Sequence, residues 1–286
     1  MVTTFAGSGD EGSADGTGTS ATFKNPRGVT TDGTNVYIAD SNNHKIRKIV
    51  ISTGVVTTLA GSGSVGSADG TGTSAEFNYP FSITNVGGNL YVPDYYGHKI
   101  RKIVISSGAV STLAGSGSAG FADGTGTSAK FNNPYGIAND GTNLYVAENH
   151  RIRKIVIATG VVTTLAGSTT STSGAFANGT GTSARFTNPA GVVVIGSNLY
   201  VADGNNHRIR KIVISTGEVT TIAGSGSQDS TDGTGTSASF NKPRQMASDG
   251  TNLYVTDSAN NKIRKIVIST GVVTTLAGSG SSGSTD

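Results

Sequence analysis

The 286-residue sequence contains no cysteine and no tryptophan, and only 14% of it is charged. Without thiols there can be no disulfide, no thiolate metal ligand and no cysteine nucleophile. No run approaches the roughly 18 apolar residues that a membrane-spanning helix requires, so no membrane insertion is expected. The formal net charge of +3 is too small to imply a polyanionic partner, basic isoelectric point notwithstanding. The opening Met1-Val2-Thr3-Thr4 lacks a charged segment followed by an apolar one, so no signal peptide is expected in this sequence. An apolar period of 3.6 residues is absent throughout, which argues against helices.

Glycine is abundant, with 42 residues, as are serine and threonine, and these mark a repeat. The phenylalanines of a G-T-S-A-x-F motif stand at Phe23, Phe77, Phe131, Phe186 and Phe240, at spacings of 54, 54, 55 and 54 residues. Each unit carries four apolar segments. In the first unit these are Gly28-Val29-Thr30, then 35–40, 45–51 and 55–61. They are rich in Val, Ile, Thr and Tyr and are separated by turn sequences such as Asp32-Gly33-Thr34-Asn35 and Ser52-Thr53-Gly54. That composition and length read as β-strands. Four strands in each unit of about 54 residues read as propeller blades, whose sheets are covered on both faces.

Each unit also joins P-x-G-(V/I) to N-L-Y-V-A-D and then to N-x-(H/N)-(K/R)-I-R-K-I. One copy runs Pro134-Tyr135-Gly136-Ile137, Asn143-Leu144-Tyr145-Val146-Ala147-Glu148 and Asn149-His150-Arg151-Ile152-Arg153-Lys154-Ile155. These motifs resemble the NHL-repeat β-propeller family over nearly the whole chain. The resemblance implies a propeller, in that family most often six-bladed. The expected fold is therefore all-β, a β-propeller of four-stranded antiparallel blades. Five blades are expected, the alternative being part of a larger, six-bladed ring. The domain reading is a single propeller over 1–286, with repeats at 1–54, 55–108, 109–160, 161–217 and 218–271 and an extra outer-strand segment at 272–286. The fourth-strand motif occurs six times, at Val2–Gly7 and again at Val273–Gly278 among others, so two terminal copies compete to complete the ring. The chain is expected to be a monomer, or an oligomer that exchanges the redundant outer strand.

Comparing the copies separates what the fold holds constant from what it releases. The D-G-T-N and S-T-G turns hardly change. At the other end of the strands, the residue after the proline is Arg27, Phe81, Tyr135, Ala190 and Arg244 in turn. The turn after the second strand reads Ser41-Asn42-Asn43, Tyr95-Tyr96-Gly97, Asn149 alone, Gly204-Asn205-Asn206 and Ser258-Ala259-Asn260. Long loops such as 61–76 are expected to overhang this same side. Variation gathered at one face, with exposed aromatics on adjacent blades, marks a ligand-reading surface. The candidate binding residues are Arg27, Phe81, Tyr95, Tyr96, Tyr135 and Arg244, with Tyr79 beside them. The alternative is drift at unconstrained solvent positions.

The recurring polar residues read as structural. His44, His98, His150 and His207 stand at one place in each unit, and Asn261 replaces them in the last, which suits a loop hydrogen bond better than a metal site. Some NHL-like lyases use propeller histidines around a zinc, but this chain has no non-repeating histidine, so no metal and no cofactor are expected. Asp40, Asp94, Glu148, Asp203 and Asp257 are expected to accept hydrogen bonds from loop amides or from Arg47-type side chains. The D-G-T-G-T loops offer one carboxylate each, too few for calcium. The repeated K-I-R-K run makes nucleic acid a rival partner, less favoured because nearly as many carboxylates share the repeats. The expected function is non-catalytic recognition or scaffolding, with a protein or glycan ligand, in an extracellular or cell-surface setting of bacterial origin. A structural spacer or a designed or duplicated repeat protein without ligand, and a lyase or hydrolase using the central channel, are the alternatives.

Overall fold

A computed structural model describes residues 3–169 and 174–283. Val2 of the first fourth-strand copy and residues 284–286 of the last segment lie outside the described residues. The chain forms five antiparallel sheets and is an all-β, five-bladed propeller. It divides into two compact units, one of residues up to 143 with 156–162, the other of 144–155 with the residues from 163 onward.

In blade 1 the four long strands are Pro26–Thr31, Asn35–Asp40, Lys45–Val50 and Val55–Ala60. They pair in sequence order, each with the one before. Each sheet takes its fourth long strand from the start of the next sequence unit, so Val272–Ala277 is the fourth strand of blade 5.

Two expectations are corrected. Each sheet has five strands rather than four, because a two-residue strand such as Gly16–Thr17 pairs outside the fourth. The long loops, moreover, do not simply overhang one end of the blades. They run down the outer edge to the opposite turn, where the Gly18 N–H donates to the Gly54 carbonyl and the Gly72 N–H to that of Gly108, both at 2.9 Å. Covering most of the edge this way limits strand-to-strand association between molecules.

The apolar strands are explained by the cores between neighbouring sheets. Within the first unit, Tyr37, Ala39, Ile46 and Ala60 of blade 1 pack against Phe77, Ile83, Leu90 and Val92 of blade 2, all buried. Within the second unit, Tyr200, Ala202, Ile209 and Ala223 of blade 4 meet Phe240, Leu253 and Val255 of blade 5 in the same way. Blades 1 and 4 thus present a trailing face to the next blade, and blades 2 and 5 a leading face to the one before. Full burial of such side chains contributes roughly 1.5–3 kcal/mol apiece. The P-x-G glycine follows from this packing: a Cβ on Gly28 would lie 2.6 Å from Ser82 Cα, and one on Gly191 would lie 2.9 Å from Gln245 Cα.

Candidate functional site

The variable end of the blades rests on a buried ionic frame. Arg47 donates from Nη1 to Asp40 at 2.9 Å, with both side chains fully buried. The same pair recurs as Arg101–Asp94, Arg153–Glu148, Arg210–Asp203 and Arg264–Asp257. The other carboxylate oxygen accepts a loop amide: Lys24, Asn78, Thr187 and Asn241 donate to Asp40, Asp94, Asp203 and Asp257. Arg47, Arg101 and Arg264 also reach Asp15, Asp69 and Asp232 through Nη2, at 2.7–2.8 Å. The carboxylates therefore play the part expected from the sequence. The arginines of the K-I-R-K run are interior, which removes them from any nucleic-acid-binding face.

In blades 1, 4 and 5 the turn after the second strand is a single 3-10 turn closed by a residue in the left-handed region: His44 at φ 54°, His207 at φ 54° and Asn261 at φ 51°. The Nδ1 atoms of His44, His98 and His207 accept the backbone N–H of Tyr79, Asn133 and Lys242 on the following blade, at 3.1–3.3 Å. Burial holds these three imidazoles below the ordinary histidine pKa, as an acceptor nitrogen requires. They are ties between blades.

Asn43, Asn206 and Asn260 complete the turn. Each donates from Nδ2 to the preceding aspartate, at 2.8, 2.9 and 2.8 Å, and also to a carbonyl of the long loop. In blade 2 the sequence is Tyr95-Tyr96-Gly97, so this donor is missing. Burial pushes the Asp94 carboxyl up to about 6, against the pull of Arg101, and raises the Asp203 carboxyl of blade 4 as well.

Three elements bring the aromatics together. Tyr79 and Phe81 flank Pro80, just ahead of the short first strand of blade 2 (Thr84–Val86), Tyr95 and Tyr96 form its next turn, and Tyr135 lies at the start of the first strand of blade 3. Phe81 and Tyr135 are 3.7 Å apart between ring centroids, and Tyr95 and Tyr96 meet edge-on at 4.7 Å. Tyr79 lies 5.9, 6.1 and 5.5 Å from Phe81, Tyr95 and Tyr96. Arg27 from blade 1 closes the group, its guanidinium 4.9 Å from the Phe81 centroid and donating to the Tyr79 hydroxyl at 3.2 Å. Offset and edge-on rings of this kind attract by about 0.5–1.5 kcal/mol beyond their buried area.

The cluster unites Arg27, Phe81, Tyr95, Tyr96 and Tyr135, all within the first unit. Arg244 is exposed in the second unit. The expectation that the aromatics are exposed is corrected for Phe81, which is only 4% exposed and forms the floor. Tyr96, at 55%, is the most accessible ring, and Arg27, Tyr79, Tyr95 and Tyr135 are half-buried. Tyr79 carries more than the sequence reading gave it. Its φ is 67°, at a position where Asn25, Asn133 and Asn188 adopt 50–54° and Lys242 of blade 5 adopts 54°. Asparagine tolerates the left-handed region, whereas a bulky side chain is strained there. Aligning the copies at this position would have flagged it.

A family model described as the NHL repeat matches residues 186–212, from the blade 4 phenylalanine to the end of the R-I-R-K-I motif. The human protein "NHL repeat-containing protein 2" is 29% identical over 94% of this chain, which spans 42% of that relative. A solved structure of a protein of unknown function from Bacteroides thetaiotaomicron covers 96% of this chain and 64% of its own, with TM-score 0.70 and 22% identity. A nidogen/laminin complex covers 87% and 80%, with TM-score 0.62 and 17% identity. A streptogramin B lyase covers 89% and 69%, with TM-score 0.56 and 15% identity. At those identities the solved structures speak for the fold alone. Together with the five matching sheets, they show a five-bladed β-propeller that is similar to NHL-repeat proteins.

Proposed function

We propose that this chain is a recognition module that binds a protein ligand through the arginine–tyrosine surface of blades 1 to 3. The observation that carries this is the strained Tyr79 at the centre of a cluster whose other members also depart from the repeat. Strain kept at a position where asparagine serves in three sister blades needs a return outside folding. Tyrosine and arginine over a buried aromatic floor are also the composition of interface hot spots. A protein ligand suits the tilted rings and half-buried hydroxyls better than a glycan, which stacks on an open ring face. The nidogen/laminin neighbour shows that a propeller of related fold takes part in a protein complex. The lyase reading has no comparable support, because His44, His98 and His207 are committed to backbone amides of the next blade.

The test is a triple variant, Tyr79→Asn, Tyr95→Ser and Tyr96→Asn, which installs residues that other blades already carry at those places. Relief of strain at Tyr79 should leave the variant folded and the single Tyr79→Asn chain about 1 kcal/mol more stable. Screened on protein and glycan arrays beside the parent, the variant should lose a protein signal that the parent gives. A signal unchanged in the variant, or confined to the glycan array, would sink this reading.

A further inference from the structure

At the rim of the aromatic cluster, hydrogen-bond donors gather that the chain itself does not use. The Tyr79 hydroxyl oxygen accepts twice, from Asn25 Nδ2 at 3.1 Å and from Arg27 Nη2 at 3.2 Å. A hydroxyl oxygen has two lone pairs and one hydrogen, so with both lone pairs taken the O–H is left to donate outward. Arg27 spends on that bond one of the five N–H groups of a guanidinium. Its Nε is buried and has no hydrogen-bond partner. Among the described residues no carboxylate pairs with Arg27, whereas Arg47 and Arg101 of the buried frame each hold two. Those four aspartates are thereby committed, and Glu11 is taken by Lys24.

The unused cation is also held in place. Its central carbon lies 4.9 Å from the Phe81 ring centroid and 6.0 Å from that of Tyr79, so the rings cover part of it and attract it. The side chain is half-buried. A charge partly withdrawn from water attracts a counter-ion more strongly than a fully solvated one. The strained backbone of Tyr79 acquires a purpose here, because it brings a hydroxyl to Asn25 and Arg27, 54 and 52 positions earlier in the chain. The asparagines and the lysine that sister blades carry at this position have no hydroxyl to offer.

We infer that this corner takes a carboxylate, and that the ligand of the aromatic surface is an acidic peptide segment. The inference rests on the recognition reading above and adds the chemistry of the partner. An Asp or Glu side chain of the ligand accepts from the Arg27 Nη groups and from the Tyr79 hydroxyl. A neighbouring apolar side chain then covers the exposed ring of Tyr96, 5.5 Å from that of Tyr79 between centroids. A singly charged group suits the site better than a phosphate. Lys24, the nearest cation in the sequence, is paired with Glu11 at 3.2 Å, so no second free cation meets the extra charge.

The experiment is selection of phage-displayed random linear peptides on the parent chain, with the triple tyrosine variant as counter-target. Peptides retained by the parent alone should share one Asp or Glu beside an apolar residue. A synthetic copy with both termini blocked and that acid changed to its amide should bind about tenfold more weakly by fluorescence polarisation. Arg27→Gln keeps much of the stem over Phe81, and blades 2 to 4 carry Phe, Tyr and Ala at this place, so the variant should fold, as checked by circular dichroism. It should lose the same factor for the acidic peptide and nothing further for the amide form. Added NaCl should weaken the parent complex and leave the Arg27→Gln complex nearly unchanged. Retained peptides without a shared acid, or acidic peptides that bind Arg27→Gln as tightly as the parent, would overturn this inference and leave the recognition reading standing. A parent that retains no peptide overturns it too, and the array comparison then decides the recognition reading on its own.

Discussion

At the scale of the residue, most of this protein is a template written five times, and the informative positions are those where one copy departs from it. Gly97 is such a position. In blades 1, 4 and 5 the equivalent asparagine donates to the aspartate behind it. Blade 2 lacks that donor, and burial raises the Asp94 carboxyl to about 6, as it also raises that of Asp203. A folded pKa above the unfolded one means stability lost as pH rises through the window from the ordinary aspartate value to about 6. Gly97→Asn should reverse this. A Cβ on Gly97 would lie 2.5 Å from the Asp94 carboxylate, so that carboxylate has to turn, as its counterparts in blades 1, 4 and 5 accommodate an asparagine. We expect a gain of about 1 kcal/mol at pH 7 and less at pH 4, where the parent carboxyl is protonated and has less need of the donor. Urea titrations at the two pH values read the difference, and an equal gain at both would refute the assignment. The histidine ties act in the opposite sense. Their folded pKa values lie below the ordinary value of about 6.5, so their contribution is complete above it and fades as the pH falls below it. A chain with His44, His98 and His207 all changed to Asn, the residue blade 5 already uses, should show a smaller drop in Tm between pH 7 and pH 5 than the parent.

At the scale of the element, the fourth strand shows how a side chain repairs an irregularity. The pairing of the third and fourth strands slips by one residue, so that Arg47 faces Thr58 while Ile46 faces Ala60. A bulge of this kind leaves a backbone group out of the ladder. Asp15 takes up the slack, accepting the Thr58 N–H at 3.2 Å and its hydroxyl at 3.1 Å while also binding Arg47. Asp69 and Asp232 do the same for Thr112 and Thr275. Blade 4 has Asn178, whose single carbonyl oxygen accepts from Arg210 and the Thr221 hydroxyl. Asn178→Asp supplies the second acceptor oxygen and a charge opposite Arg210. The site is about half exposed in the other blades, with Asp69 at 52%, so the gain should stay near 1 kcal/mol or below. Faster amide exchange at Thr221 in the parent than in the variant would show the new bond directly. The sequence made the strands and turns legible, because β-branched runs and D-G or S-T-G turns leave little choice. It did not reveal the edge strand, because Gly16–Thr17 has no strand-forming side chains and owes its pairing to the glycine-rich descent of the loop. Nor did it place the acidic loop residues, whose partners lie 32 and 43 positions away.

At the scale of the whole molecule, the repeat spacing made the five blades and the variable end readable, since identical copies must bury identical faces. What it left open was depth. Phe81 and Tyr96 look alike in the sequence, yet one is the floor of the cluster and the other its rim, because only Phe81 lies between Arg27, Tyr79 and Tyr135. In a protein whose blades stabilise one another through shared cores, a sheet with one exposed face should open more readily than a sheet with two covered ones. Hydrogen exchange offers an internal comparison, because Ala109–Ala114 of blade 2 and Val272–Ala277 of blade 5 are fourth strands of near-identical sequence. At about 1 µM, the blade 5 strand should exchange faster than the blade 2 strand, since it lacks the apolar layer that buries Ala114. Equal protection in both strands at low concentration would mean that stability is shared evenly over the five sheets, and that an uncovered face costs the blade nothing.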